Sequence, residues 1–455
     1  MHKALLTGLI VVSAITQVTL SDQARATPLI ADLRGGIDGS CNGSAFSSPS
    51  GQFSAGDIGK VLVVSGDASG TAPAAAAAID NAPLFTTVVA VSSTTAITLS
   101  AACVSAMTGI TSAQWHLGTN NTVALQDCLD TGLCSVPAGI YLMSGPAPAT
   151  PPNSAVSPYD SRVYPPSGST LLCQPGAVFL FPHHDYYNNI NRSLLDLKGV
   201  HDVTVSGCTI RGTNLHSAFT VGAQGNHAIV IHGVDSNGQP SMNNSIIDNV
   251  IQNGWSDGDI TINNYFNSDA PGVPVNNLIS GNSISGCGLN GITIVSGTGN
   301  VIRNNNLTDC NIDIEPNDAG NGPVFANLVK GNTITKLHRP GVEAIERGYV
   351  DDVFGTHYVL FFSSCGTAAC DLTGGDTIAV LDNTFVGNVE ILPYCRGGKV
   401  TQTWTNNITK GSGGQSCTLN AAGCSYAPSY SCSPIPGSNV DHAGMDIINS
   451  ILLSE

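Results

Sequence analysis

The side chains that could do chemistry in this chain are few, because only 11% of its 455 residues are charged. Asp313 and Glu315 are two residues apart in Ile312-Asp-Ile-Glu315, so on a strand they share a face with Cβ atoms roughly 6.5–7 Å apart. Close like charges raise one carboxyl pKa, which keeps an acid protonated near neutral pH. A glycoside hydrolase needs such a pair, one acid for the leaving oxygen and one carboxylate as base or nucleophile. A polysaccharide lyase instead needs a base beside a carboxylate-bearing carbon and a cation for the enolate-like charge. His232 and Lys198 supply that second set, and Asp259 is a further acid for the first. Around them, Trp255 and Asp257 in Trp255-Ser-Asp-Gly-Asp259 could stack on and hold a sugar, although Asp-Gly is also a turn pair. The densest charge cluster, His338 to Arg347, brings Arg339, Glu343 and Arg347 as candidates for a sugar carboxylate or sulfate. Its plainer reading is a surface Glu346–Arg347 pairing of little energy.

The elements that must position these groups are announced by a recurrence. Asn249, Asn282, Asn305, Asn332 and Asn383 each lie between short apolar β-branched runs, with Asn406 expected as a sixth. Recurrence at 23 to 51 residues signals stacked coils, in which one unit cannot bury its apolar face until a neighbour covers it. Triplets split by Gly and Asn make the coils strands rather than helices. Asparagine tolerates a left-handed corner, and its amide can bond to the equivalent amide one coil away. Alternation points Leu195/Leu197, Ile229/Ile231, Ile260/Ile262, Ile292/Ile294 and Ile312/Ile314 into the stack. One outward column then reads Asp196, Val230, Thr261, Thr293, Asp313, and the next Lys198, His232, Asn263, Val295, Glu315. A column just before them adds His227 or Ala228, Asp259, Gly291 and Asn311. Asn263 thereby joins the substrate-binding candidates.

Residues 1–26 read as a secretory signal: Lys3, an apolar run from Ala4 to Ile15, and Ala24-Arg-Ala26. Residues 27–115 read as a β-rich elaboration, 116–410 as the coil stack with its cap, and 411–455 as a Cys-rich tail with a terminal helix over 440–455. Val123, Ala124, Leu125, Cys128 and Leu129 predict a short helix that caps the first coil from Thr122 to Leu133. The 14 cysteines, an even number in an exported chain, predict disulfides. Cys128/Cys134 and Cys365/Cys370 read as local pairs. Cys287 and Cys310 repeat the 23-residue interval of Asn282 and Asn305, so they should stack roughly 4.8 Å apart, bonded or merely packed.

A net charge of −16 argues against nucleic acid, which calls for basic stripes. No later segment is long and apolar enough for a membrane span, so the expectation is an exported protein without a membrane partner. The composition leaves a homo-oligomer open. No cofactor is required; Ca²⁺ is possible, with Asp351-Asp352 a candidate pair, and it would offset repulsion of a polyanionic substrate.

Gly118-Thr-Asn-Asn-Thr-Val-Ala-Leu-Gln126 followed by Val136-Pro-Ala-Gly-Ile-Tyr141 resembles the entry signature of the pectate-lyase-like superfamily. The resemblance implies an all-β, right-handed parallel β-helix over roughly residues 30–410. It also implies a polysaccharide partner, since the superfamily holds lyases, polygalacturonase-type hydrolases, epimerases and tailspike depolymerases. The motif series of polygalacturonases and mannuronan epimerases are missing, so the reaction stays open. Hydrolysis of a glycan laid across the outer face is expected first, β-elimination second, and a non-catalytic glycan-binding surface protein third.

Overall fold

A computed structural model describes residues 27–67, 84–103, 113–144, 163–182, 192–212, 226–252, 258–263, 272–287, 290–308, 310–314, 324–335, 358–362, 376–386, 390–393, 400–410, 416–422 and 429–433. Arg34–Asn42, Ala45–Ser47, Val61–Asp67, Leu84–Ser93, Ala96–Leu99 and Ala113–Gly118 close into an antiparallel barrel. Trp115, Phe46 and Phe53 fill it in edge-on and tilted contacts, and the Cys41–Cys103 disulfide joins two of its segments. Asp57, buried at its rim, pairs with Arg34 and with Lys60 at 3.1 Å.

The helix that follows spans Thr122–Leu129, ending four residues before the predicted Leu133, which instead opens the strand Leu133–Val136. Ala124, Leu125 and Leu129 are buried on the coil core, whereas Val123 is on the exposed side. Its start is tied to the N-terminal segment, because Asn121 Oδ1 accepts from Ile30 N at 2.6 Å and Asn121 Nδ2 donates to Ile30 O. The Cys128–Cys134 disulfide pins its end.

From there the chain is a right-handed parallel β-helix. Each coil contributes three short strands, for example Ser245–Ile247, Val250–Gln252 and Ile260–Asn263, and all three pair in parallel with the next coil. The predicted inward aliphatics lie in one continuous core, each 0% exposed. Val400–Lys410 closes the parallel run, and Ser416–Ala422 and Ser429–Ser433 extend it as antiparallel strands. The predicted helix over 440–455 and the Cys365/Cys370 pair lie outside the described residues.

The corner between the first two strands of a coil is held by an asparagine ladder. Asn249, Asn282, Asn305, Asn332 and Asn383 each donate Nδ2–H to the next rung's Oδ1 at 2.9–3.0 Å, and that Oδ1 also takes the backbone N–H. The sixth rung is Asn407, not the expected Asn406. The reason lies in the corner backbone: the positive-φ residue is the one before each rung, such as Asp248, Gly281, Asn304, Gly331 and Asp382. The rung asparagine therefore supplies hydrogen bonds and its predecessor the left-handed turn. Asn244, Asn277, Asn300 and Asn327 build a second, parallel ladder five residues upstream. One coil below Asn249 its place is taken by Cys208, whose N–H bonds to Asn249 Oδ1 and whose sulfur is bonded to Cys173. Cys287 and Cys310 are also bonded, across the adjacent coils the spacing predicts.

Candidate active site

The third strand of every coil joins a seven-stranded sheet: Arg192–Lys198, Asn226–His232, Ile260–Asn263, Asn290–Ile294, Asn311–Ile314, Tyr358–Phe362 and Glu390–Pro393. Because Leu195/Leu197 and their equivalents turn inward, the intervening residues share the opposite face. Asp196, Val230, Thr261, Thr293 and Asp313 are in register, as are Lys198, His232 and Asn263. The first predicted column therefore exists, and so do the first three members of the second, whose Glu315 lies outside the described residues. They are not an open platform, however: Asp196, Lys198, His232, Asn263 and Asp313 are all buried, with Lys198 the most exposed at 6%. An open outer face for a glycan is thus corrected on this sheet.

Three of these groups come together. His232 Nε2 is 2.8 Å from Asp196 Oδ1, and Lys198 is the in-register neighbour of His232. Burial pushes the Lys198 ammonium pKa down, and the charge of Asp196 opposes that shift. His227, on the same strand as His232, bonds through Nδ1–H to Gly258 O at 2.5 Å, and burial pushes it down to about 4, so it is neutral. Ser241 anchors the strand ends by donating to Leu197 O and accepting Gly199 N–H.

The other acids are arranged differently. Asp313 Oδ2 accepts from Asn290 Nδ2 at 3.0 Å, four strands from Asp196. Four strand spacings are roughly 19 Å, well beyond the roughly 5–9.5 Å that separates paired glycosidase carboxyls. Asp259 is not on this face at all. Both Ala228 and Ile229 donate to its carbonyl, so the alternation breaks ahead of Ile260, and its carboxyl turns into the core. There it is 0% exposed, with Oδ2 against Cys287 Sγ at 3.2 Å and Oδ1 without a hydrogen-bond partner among the described residues. A disulfide sulfur has no proton to give, so burial raises this carboxyl well above the usual range and favours its neutral form.

Glu315, Trp255, Asp257, Arg339, Glu343 and Arg347 lie outside the described residues. Among the described residues no group of three His, Cys, Asp or Glu side chains is placed to hold a metal, and Asp351-Asp352 lies outside them. Asp196 was read as a column member rather than a site residue. The signal was its place two residues before Lys198 and one coil below the strand carrying His232. His227 is signalled in the sequence only as an alternative to Ala228 in the column that carries Asp259, and Asn290 carries no comparable signal.

The four disulfides among the described residues fit an oxidising compartment, and no helix of those residues is long and apolar enough to cross a membrane. No protein-family model and no curated protein matches the sequence. Solved structures do. A tailspike protein of E. coli bacteriophage HK620 matches at 11% identity over 64% of this chain and 46% of its own, with a TM-score of 0.38. PfbA, a surface adhesin of Streptococcus pneumoniae, matches at 13% identity over 70% and 96% of the two chains, TM-score 0.30. The catalytic domain of a GH87 α-1,3-glucanase matches at 11% identity over 83% and 84%, TM-score 0.30. This chain spans under half the length of the tailspike it matches. Likenesses this distant carry nothing about chemistry.

Proposed function

We propose that the protein is an exported glycan-cleaving enzyme acting by β-elimination on a uronate-containing chain, with His232 as the base. The observation that carries this reading is the 2.8 Å contact between His232 and Asp196, buried beside Lys198. A carboxylate on Nε2–H fixes the tautomer in which Nδ1 holds the lone pair, and it stabilises the imidazolium formed when a proton is taken. In the proposed step that proton comes from the carbon next to the uronate carboxylate. The electron pair forms the C=C bond as the glycosidic C–O bond breaks, the leaving oxygen takes the proton back from the imidazolium, and Lys198 balances the charge that develops on the carboxylate. Burying a carboxylate, an imidazole and an ammonium together costs stability, and clusters of this kind concentrate at functional sites. The reading requires this buried face to open to substrate.

Paired-carboxylate hydrolysis, expected first from the sequence, has less support. Asp259 faces the core, Asp313 is too far from Asp196, and Glu315, the expected partner of Asp313, lies outside the described residues. The mature protein incubated with neutral and uronic polysaccharides separates the readings. New reducing ends together with absorbance from unsaturated products are expected on a uronic glycan. Reducing ends without that absorbance mean hydrolysis, and binding with neither signal means a non-catalytic glycan binder.

A further inference from the structure

A cavity of about 520 Å³ opens where the barrel meets the first coils, and none of its lining residues is on the strands that carry Asp196 and His232. Its barrel wall is Leu33 to Ile37 with Gln114 and His116; its coil wall is Ile140, Val178, Leu180, Arg211 and Gly212. The size lies within the range of small-ligand sites. Its two walls differ in chemistry. Ile37 and Ile140 are among the most exposed large aliphatics of the described residues, at 68% and 45%, and Val178 is paired in register with Ile140. Leu180 packs with Val63 and Leu142 in a small cluster that fastens barrel to coils beneath them.

The charged groups are unequal. Arg34 is committed, with both terminal nitrogens on Asp57 and Nε on Gly51 O. His116 is pushed down to about 4 by burial, so it is a neutral wall. Arg211 is different: its Nε and Nη2 both go to Gln252 Oε1, at 3.2 and 2.9 Å, which holds the guanidinium in place, and among the described residues no carboxylate pairs with it. In a chain of net charge −16 this is a positioned cation at the mouth of a partly apolar cleft. Gly35 and Gly36 let the barrel wall pack tightly on itself, since a Cβ there would collide with Trp115 and His116 atoms. Above Arg211 the same outward column continues through Gln252, Ser285, Thr308 and Thr335, one polar side chain per coil and half-exposed. Spaced at roughly 4.8 Å, these would meet successive units of an extended glycan.

We propose that this cleft is a second saccharide site, which takes an acidic sugar at the end of a glycan lying along that column, its carboxylate on Arg211 and its apolar face on Ile37, Ile140 and Val178. The acidic class rests on the uronate reading above; the site itself rests on the cleft. A guanidinium already held flat by Gln252 can present its remaining N–H groups to a carboxylate with little loss of freedom.

Binding is measured by calorimetry in the His232→Gln protein, so that cleavage does not intrude, with a galacturonate trisaccharide and a neutral glucose trisaccharide as probes. The expected result is preference for the acidic probe, weakened at least tenfold by Arg211→Gln and by Ile140→Asp, each with an unchanged circular-dichroism spectrum. Equal binding of both probes, or acidic-probe binding that neither substitution weakens, overturns the proposal. Turnover on uronic polysaccharide is followed separately in the unsubstituted protein. Turnover without cleft-dependent binding overturns the second site alone. Cleft-dependent binding without turnover leaves the site standing and removes the elimination reading.

Discussion

His232 reaches Asp196 diagonally: the two are on neighbouring parallel strands, yet the in-register partner of His232 is Lys198 and that of Asp196 is Val230. The stagger sets carboxylate, imidazole and ammonium as three corners of one patch. An in-register His–Asp pair would have left Lys198 a further two residues along the strand.

Loss of this geometry should be visible in turnover before it is visible in folding. His232→Gln and Asp196→Asn should each lower the elimination rate about 100- to 10,000-fold, the usual weight of a positioned general base. The rise of absorbance from unsaturated product measures it, with circular dichroism as the control for fold. A rate unchanged in both variants would sink the assignment.

Asp259 predicts a pH dependence of stability whose sign is fixed by its burial. Its folded-state pKa is raised well above 3.8 by desolvation, so the protonated side chain is the one the core accepts. Stability from this group is then full below the unfolded pKa and falls as pH rises through the folded value, by up to about 1.4 kcal/mol per pH unit. Asp259→Asn, which cannot ionise, should unfold at a higher urea concentration than the parent at pH 8 and show no such gain at pH 4. A gain of equal size at both pH values would argue that the carboxyl is not buried neutral.

The ladder makes a sharper prediction than hydrophobic burial does. Asn305 Oδ1 accepts both Asn282 N–H and Asn282 Nδ2–H, while its own Nδ2 serves Asn332 Oδ1 and Ile279 O. Asn305→Leu keeps a similar volume but strands buried donors and acceptors on both sides, at about 1–3 kcal/mol for each stranded group. Asn305→Asp keeps the acceptor, loses the donor and places a charge in the core, so it should be worse at pH 7 than at pH 4. Urea unfolding at the two pH values reads both effects; equal stability of Asp and Leu variants at pH 7 would contradict the polarity of the ladder.

Much of the scaffold was legible because strand alternation is strict wherever one face must be apolar. Ile229, Ile260, Ile292 and Ile312 could be aligned by eye, and with them Asp196, His232 and Asp313. Asp259 was misplaced because the two backbone donors on its carbonyl interrupt that alternation, which no residue type announces. Asn407 rather than Asn406 is the sixth rung because the left-handed turn belongs to the residue before each rung, and residue type alone does not tell the two adjacent asparagines apart. The second ladder was legible in principle, since Asn244, Asn277, Asn300 and Asn327 each precede a first-ladder rung by five. Barrel closure was not. It joins Arg34–Asn42 to Ala113–Gly118 across a long separation, and the strands between carry no turn signal for that pairing. Nor could the sequence show that polar columns on the seven-stranded sheet would be covered, because burial of a face depends on what packs over it.

Rung geometry varies by only a tenth of an ångström, yet successive rungs are 33, 23, 27, 51 and 24 residues apart. The protein thus has a constant pitch and a variable perimeter. Chain can be added to or taken from any one turn without disturbing the turn above or below it. The 51-residue circuit from Asn332 to Asn383, which carries Arg339, Glu343 and Arg347, is where the most has been added. New chemistry in such a molecule can be gained circuit by circuit, because the inner stack does not record how far the chain travels between one rung and the next.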